Sequence, residues 1–356
     1  MYIMNRSYAK FFVYCTLFTQ IILESIFVEK LLYTTIKIAD PRVISLINSQ
    51  AFQRLYKIQQ YGIDPKVLQD RAHTAVYNRA IHSLGVYWLL HRYNAPFEEQ
   101  ITGLFHDGSH TPFSHVAERV FKHKDDKSSY QDDHHLELLA DTDLEPVLKK
   151  MGFSLEDIDH KNPAYTRLEK DLPDACADRI EYNLSGGVLE KLITPEEAMA
   201  ILDHLRFEND RWFFIDAGHA RKFAEIPLYH TEHIWGAQMS AYVSEELAQA
   251  IRKALELGIL SMEEVLHGTD EAVWQKLLAC NSAEIQTHIQ NMLSASSHAD
   301  EINAQPRNNK FRGIDPWVQQ GGEFKRLTEL DESFRKEFER VKADSYSCSG
   351  SKISNS

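Results

Sequence analysis

Apolar residues recur at helical spacing through most of this chain. From Val43 to Tyr61, the residues Ile44, Leu46, Ile47, Phe52, Leu55 and Ile58 form one stripe that Gly62 stops. Val76 to Tyr93 is predicted helical on Ile81, Leu84, Val86, Trp88, Leu89 and Leu90, and Pro96 opens a further helix from Phe97 to His106. Helical pieces follow at His134 to Leu148, Leu155 to Ile158, Leu168 to Leu184, Pro195 to Leu205, Glu232 to Leu257 and Met262 to Ile289. Pro173 suits the first turn of the Leu168 piece, and Gly186-Gly187 is expected to end it. Strand signals are confined to Thr34, Thr35, Ile36 and Ile38 before Asp40-Pro41, and to Arg211 to Asp216. Polar connectors are expected at 65–73, 122–133 and 303–316, and a disordered Ser-rich end at 345–356. No internal repeat is present. The pattern predicts a mainly α protein with a few short strands.

Composition narrows the function classes. The chain has 356 residues, enough for one large core or a catalytic domain with an appendage. Its 52 acidic and 39 basic residues give a formal net charge of -13, which argues against nucleic acid or an anionic membrane face as a partner. The four Cys (Cys15, Cys176, Cys280, Cys348) show neither paired metal spacing nor a disulfide framework, as in a reducing compartment. Residues 1–29 stand apart. Arg6 and Lys10 precede the apolar run Phe11 to Leu23, the pattern of a secretory signal or anchor, but no clear small-residue cleavage site follows. A cytoplasmic location is expected, with export or anchoring through that run as the alternative.

Seventeen His residues direct attention to metal chemistry. In Gly103-Leu104-Phe105-His106-Asp107-Gly108-Ser109-His110, an apolar run delivers two different ligand types side by side, with His110 one helical turn beyond His106. His82, His106, Asp107 and Asp178 make a plausible metal set. Asp174, one turn from Asp178, competes for the last place. Imidazole with carboxylate suits Zn, Mn, Fe, Ni or Co. Such a set leaves positions open for a water whose pKa the metal lowers, which suits hydrolysis of a phosphoester. His110 and His135 are candidates for proton transfer, with His134 not separable from His135 by chemistry alone. Glu118 could orient one of them. Arg79, three residues before His82, is placed to grip phosphate by a two-pronged contact, and Gln53, Arg54 and Gln60 could face the same cavity. Arg54 competes with a solvated surface reading, His115 with a packing role, and Trp88, Trp212 and Trp235 read as core.

Tyr77-Asn78-Arg79-Ala80-Ile81-His82, then His106-Asp107, then Ala177-Asp178-Arg179-Ile180-Glu181-Tyr182, with Phe52-Gln53-Arg54-Leu55 and Gln60-Tyr61-Gly62 upstream, resembles the HD-domain metal-dependent phosphohydrolase superfamily. The deoxynucleoside triphosphate triphosphohydrolase-like branch is the nearest. The resemblance covers about residues 35 to 190. It implies an HD-type helical domain over 30–190, followed by a mostly helical C-terminal extension over 191–344 and the tail 345–356. It implies His82, His106, Asp107 and Asp178 as metal ligands, His110, Glu118 and His135 as catalytic residues, and Arg79, Gln60, Arg179 and Tyr182 as substrate-binding residues. The implied cofactor is one divalent ion, with a second such as Mg as an extension.

Departures from that branch fall on its nucleotide-reading parts. Gly186 stands where the triphosphohydrolases carry a carboxylate, and Tyr61 where they typically carry Leu. No counterpart of their Arg-x-x-x-His-x-x-x-Tyr signature is evident between Glu232 and Tyr242. The expectation is therefore a phosphohydrolase that cleaves a phosphate ester or anhydride of a small phosphorylated substrate, a nucleotide by resemblance, through a metal-activated water. The alternative is a catalytically silent HD-fold module for ligand binding or interaction. Homo-oligomerisation is common among the relatives and is expected on that ground alone.

Overall fold

The computed structural model describes residues 26–62, 77–121, 130–305 and 311–346. The apolar run Phe11 to Leu23, the connector at 65–73, most of the charged stretch after Lys122 and the Ser-rich end after Tyr346 lie outside the described residues, while Ser345, expected in the disordered end, closes a helix. Among the described residues no helix is long and apolar enough to cross a membrane.

A two-stranded antiparallel hairpin, β1 (Phe27–Lys30) and β2 (Thr35–Ile38), leads into α1 (Pro41–Ile47) and α2 (Gln50–Leu55). The sequence pattern predicts one helix here. Ser49 divides it: its hydroxyl donates to the Leu46 carbonyl and accepts from the Phe52 amide, ending one helix and capping the next. At the centre stands α3 (Arg79–Arg92), capped by Asn78, whose side chain accepts from the Ile81 amide at 3.0 Å. Every residue from Arg79 to Tyr87 is buried, so this helix is enclosed on all sides. Beside it runs α4 (Phe97–Phe105), with Glu98 and Glu99 in its first turn.

After α4 come α5 (Val116–Phe121), a single turn α6 (Tyr130–Asp133) where a loop is expected, then α7 (His135–Ala140) and α8 (Leu144–Lys150). An irregular segment reaches α9 (Ala177–Leu189), pinned by the fully buried Glu99, which accepts from the Arg167 and Leu168 amides at 2.7 and 3.1 Å. The expected helix from Leu168 therefore starts only at Ala177. It also runs through Gly186 and Gly187 instead of ending there. A β-carbon at Gly186 would strike Tyr61 and His230, and one at Gly187 would crowd Ile193 and Ile226. Close packing, not chain termination, sets those two glycines.

Next follow α10 (Pro195–Asp203), β3 (Leu205–Glu208), β4 (Arg211–Phe214), α11 (Ala217–His233) and α12 (Gln238–Glu256). The β3–β4 turn uses Asn209 and Asp210, both at positive φ, as a two-residue hairpin requires. The long helix expected from Glu232 is broken at Gly236, where a β-carbon would overlap the Thr231 carbonyl. Then come α13 (Met262–His267), α14 (Asp270–Ala279), α15 (Ala283–Leu293) and α16 (Ala299–Asn303), followed by a third hairpin, β5 (Trp317–Gln320) and β6 (Glu323–Arg326), and by α17 (Leu327–Leu330) and α18 (Glu332–Ser345). Because β4 pairs in parallel with β5, the last two hairpins form one sheet in the order β3-β4-β5-β6.

The chain after residue 190 shares its core with the chain before it. One apolar cluster holds Val86 and Leu89 of α3, Ile180 and Leu184 of α9, Phe223 of α11, and Phe334 and Phe338 of α18. A second gathers Phe52, Leu55, Ile81, Leu84 and Phe105 behind the His-Asp pair, each large side chain contributing about 1.5–3 kcal/mol on burial. In a third, Val116 and Val120 of α5 pack on Val243, Leu247 and Ile251 of α12 and Ile285 of α15.

Candidate metal centre

Three helix termini converge where α3, α4 and α9 meet. His82 lies one turn into α3, His106 follows the last residue of α4, and Asp178 is the second residue of α9. The His82 Nε2 atom lies 3.0 Å from Asp178 Oδ1, 3.1 Å from His106 Nε2 and 3.4 Å from Asp107 Oδ2. His106 Nε2 is 3.6 Å from Asp107 Oδ1 and 3.5 Å from Asp178 Oδ1. Donors held about 2.1 Å from one ion would stand roughly 3.0–3.4 Å apart, so these spacings fit a shared cation.

The protons on the two rings decide what sits between them. His82 Nδ1 donates to the Glu181 carboxylate at 2.5 Å, and His106 Nδ1 donates to the Gly103 carbonyl at 2.8 Å. Each Nε2 therefore faces the other at 3.1 Å, so a positive charge, a proton or a metal ion, must lie between them, with two carboxylates converging on the same point. Burial alone would lower the His82 pKa, but Glu181 and Asp178 hold it up, at about 10. His106 is raised in the same way, against its burial, by Asp107 and Asp178. The Asp178 carboxyl, which burial would raise, is held well below its usual range by the two imidazoles. Two imidazoles and two carboxylates closing on one point are donors that suit a divalent transition ion. Asp178 also lies near Glu169 and Cys176. Burial pushes the Cys176 thiol up, keeping it protonated, so this second group does not offer the all-oxygen donors that Mg favours.

Glu181 is the residue that sequence reasoning missed. It is fully buried and also accepts from Tyr77 Oη at 2.8 Å and Ser185 Oγ at 2.5 Å, so its carboxylate is fixed in place. A β-carbon at Gly85 would strike it. The signal lay in the spacing: Glu181 is three residues after Asp178 and Gly85 three after His82, each pair on one helix face. Such a partner fixes the tautomer and orientation of a metal-binding imidazole.

Around this centre, His110 Nε2 lies 3.0 Å from Asp107 Oδ1, and its Nδ1 is buried without a partner among the described residues. Burial and the nearby Arg79 charge press its pKa down to about 3, so it is neutral near pH 7. His135 is buried, with Nδ1 2.8 Å from Ser109 Oγ and Nε2 unpartnered among the described residues. Its pKa is lowered by burial and by His160 and His106. His134 faces outward and bonds Glu137 at 2.8 Å. Asp174 also turns away, to Arg326 at 2.5 Å and Trp317 Nε1 at 3.1 Å. Glu118 accepts from His115 Nδ1 at 3.0 Å, and the His115 ring stands edge-on to His110 with centroids 5.1 Å apart. Through His115 the carboxylate is linked to His110.

Two of the expected phosphate ligands are placed differently. Arg79 is buried and spends its donors on Asp107 Oδ2 at 2.7 Å, Ser114 Oγ at 2.9 Å and the Gln60 carbonyl at 3.1 Å. With its fork committed to a carboxylate, Arg79 holds Asp107 instead of offering a two-pronged grip to substrate. Arg179 Nη1 donates to the carbonyls of Lys170 and Asp174, bracing the segment before α9. Arg54 is likewise no surface charge: it donates to the carbonyls of Gly108, His110 and Gly268, and burial lowers its pKa to about 10.

Gln60 and Tyr182 do present open groups. Gln60 Oε1, Tyr182 Oη, Tyr61 Oη, Trp235 Nε1 and both His230 ring nitrogens are buried without partners among the described residues. They adjoin one another and the metal centre: Tyr182 stands 6.4 Å from His82 and 5.6 Å from Trp235, and Trp235 stands 4.5 Å from His230 (ring centroids). Trp235, half-buried and outside the three apolar clusters, belongs to this group instead of to the core expected of it.

No family model matches the chain. It is 30% identical over 302 residues to YdhJ of Bacillus subtilis, an uncharacterised protein, covering 81% of this chain and 89% of that one. The chain belongs to the YdhJ family. Beyond YdhJ, it is 26% identical over 318 residues to a metal-dependent phosphohydrolase, cns2, of Cordyceps militaris, covering 84% of this chain and 87% of that protein. Among solved structures, a phosphohydrolase from Bacteroides thetaiotaomicron superposes with a TM-score of 0.63 at 14% identity over 86% of this chain and 95% of that one. A hypothetical protein from Aquifex aeolicus superposes with a TM-score of 0.64 at 16% identity over 90% and 99%. At these identities the structures establish that this YdhJ-family chain shares their fold.

Proposed function

We propose that the chain is an HD-type metal-dependent phosphohydrolase that cleaves a phosphate ester whose leaving group is nucleoside-like. The observation that carries this reading is the opposed pair of His82 and His106 Nε2 atoms, 3.1 Å apart, with Asp107 and Asp178 closing on the same point. His82, His106, Asp107 and Asp178 would hold one divalent ion. When bound, the ion supplies a water of lowered pKa and neutralises charge on phosphoryl oxygens. The name of the Cordyceps militaris relative supports the same chemistry.

The protein's own groups divide the remaining work. Next to the cage, His110 Nδ1 and His135 Nε2 are open ring nitrogens that can take or hand on a proton in the reaction. Asp107, gripped by Arg79, and His82, gripped by Glu181, keep the ligand cage fixed. Tyr61, Tyr182, Trp235 and His230 offer aromatic faces with donors and acceptors at their edges, which suits a planar, polar leaving group. With the Arg79 fork committed to Asp107, Ser114 and Gln60, we place the substrate among simple phosphate esters ahead of triphosphates.

The test is to measure metal per chain, together with release of phosphate, pyrophosphate or triphosphate from a panel of nucleotides and plain phosphoesters. Metal-dependent phosphate release from a nucleoside monophosphate supports the reading. Stoichiometric metal with no product from any member of the panel overturns it in favour of a binding module.

A further inference from the structure

The helices after residue 237 make no direct contact with the metal ligands among the interactions described above, yet one of their carboxylates stands behind the ligand cage. Asp270 is the first residue of α14, after the cap Thr269. Its Oδ1 accepts from the Phe113 amide at 2.7 Å, and its Oδ2 accepts from the Gln59 amide at 2.8 Å. These two segments are far apart in sequence, and each holds Arg79. Ser114, next to Phe113, takes Arg79 Nε on its hydroxyl at 2.9 Å. Gln60, next to Gln59, takes Arg79 Nη2 on its carbonyl at 3.1 Å. The segments are themselves joined where Ser114 Oγ donates to the Gln59 carbonyl at 2.5 Å. Arg79 Nη1 then holds Asp107 Oδ2 at 2.7 Å.

The turn at Phe113 and Ser114 needs such a brace. Both residues have positive φ, 59° and 54°, a region that residues with a β-carbon occupy only when their surroundings impose it. The Asp270 carboxylate satisfies the Phe113 amide inside that turn. On the other side of the turn, Arg54 joins the Gly108 and His110 carbonyls to the Gly268 carbonyl, just before α14. The His110 loop is thus fastened at two points to the start of one C-terminal helix.

We propose that Asp270 is a positioning residue for the metal centre, acting through the Gln59 and Phe113 amides on Arg79 and so on the orientation of Asp107. The inference deepens the hydrolase reading of the same site. A carboxylate is the side chain the role requires. It offers two acceptor oxygens to two N–H groups, whereas an amide of the same shape offers one oxygen and opposes the second N–H with its own NH2.

The test uses Co(II) as the probe on the full chain, following its affinity by chelator competition and its d–d absorption. D270N is expected to weaken Co(II) binding about 10- to 100-fold, the usual cost of losing an outer partner of a ligand, and to shift the absorption band. S114A, lower on the same path, is expected to weaken it too, and the double variant by less than the product of the single effects. A variant that only lowered the folded fraction would reduce the amount of Co(II) bound without changing affinity or spectrum. Should D270N not fold, D270S, with one acceptor oxygen and less bulk, is measured in the same way. Wild-type affinity and spectrum in the folded variant overturn the proposal. Asp270-dependent Co(II) binding in a protein that hydrolyses no ester sinks the hydrolase reading and leaves the positioning role standing. Hydrolysis with Co(II) affinity indifferent to Asp270 does the reverse.

Discussion

His82 and Glu181 are joined across two helices, the imidazole Nδ1 donating to a carboxylate that no solvent reaches. This bond commits the ring to one tautomer and aims its other nitrogen at His106. Replacing Glu181 by Gln keeps the shape but removes the charge that stabilises the metal-bound imidazole. E181Q is expected to lower metal affinity about 10- to 100-fold with the fold intact, read by competition with a chelator and by circular dichroism. Unchanged affinity would show that the Gly103-held His106 and the two aspartates suffice.

Removing a ligand should be more severe than removing its support. H106A and D107A are each expected to lose stoichiometric metal and, with it, turnover. Elemental analysis of the purified variants checks this directly. Full metal content in either variant would mean the cage is not the one described.

His110 should behave differently, because it contacts Asp107 without joining the four converging donors. In H110A the metal is expected to remain while kcat falls about 10²–10⁴-fold, as for a lost acid–base group. With its proton on Nε2 toward Asp107 and a lone pair at Nδ1, the neutral ring accepts a proton from the attacking water, so the loss should be similar for alkyl and aryl phosphates. A loss confined to alkyl phosphates would contradict that role.

Asp270 carries a pH signature. Burial outweighs the Phe113 and Gln59 amides and the nearby arginines, which favour the carboxylate, and pushes its carboxyl up to about 7, above the roughly 3.9 of an unfolded chain, so the two-acceptor form is the one present above that pH. The folded protein then binds more protons than the unfolded one between those values. The group's stabilising contribution is therefore full below about pH 4 and is lost as pH rises through about 7. D270N cannot titrate. The Tm of wild type minus that of D270N is expected to be larger at pH 5 than at pH 8, measured with chelator present so that metal binding does not enter. A difference independent of pH would contradict the burial argument.

Gly186 tests the aromatic pocket. Alanine in a helix interior is favoured over glycine by about 1 kcal/mol, but a β-carbon here meets Tyr61 and the enclosed His230 ring. Overpacking typically costs about 1–3 kcal/mol, so the steric effect should win. G186A is expected to lower Tm and raise KM for a nucleoside ester more than for a small alkyl phosphate. A KM unchanged for both would place the leaving group elsewhere.

The sequence made the metal donors legible because ligand chemistry is local: a His-Asp pair, a His upstream and an Asp opening a later helix can each be picked out by residue type. The mainly α character was legible for the same reason, from periodicity. What long-range packing decides was not. Arg79 reads as a phosphate fork until Asp107, Ser114 and Gln60 are brought around it. Gly186 and Gly187 read as a stop until Tyr61, His230 and Ile226 crowd them. Of the four-stranded sheet, β4 showed in the run Arg211 to Asp216, but β3, β5 and β6 are only four residues each, too short for alternation to stand out, although Asn209-Asp210 and Gly321-Gly322 mark the turns. Asp270 had no signal, since its partners lie more than 150 residues away in the chain.

The most direct test of the account is phosphate release from a nucleoside monophosphate by the metal-loaded protein, followed through chelation and return of the metal. The account expects release that stops when the metal is withdrawn, returns when it is restored, and is absent from D107A throughout. Release that persists in chelator, or that survives in D107A, would contradict it.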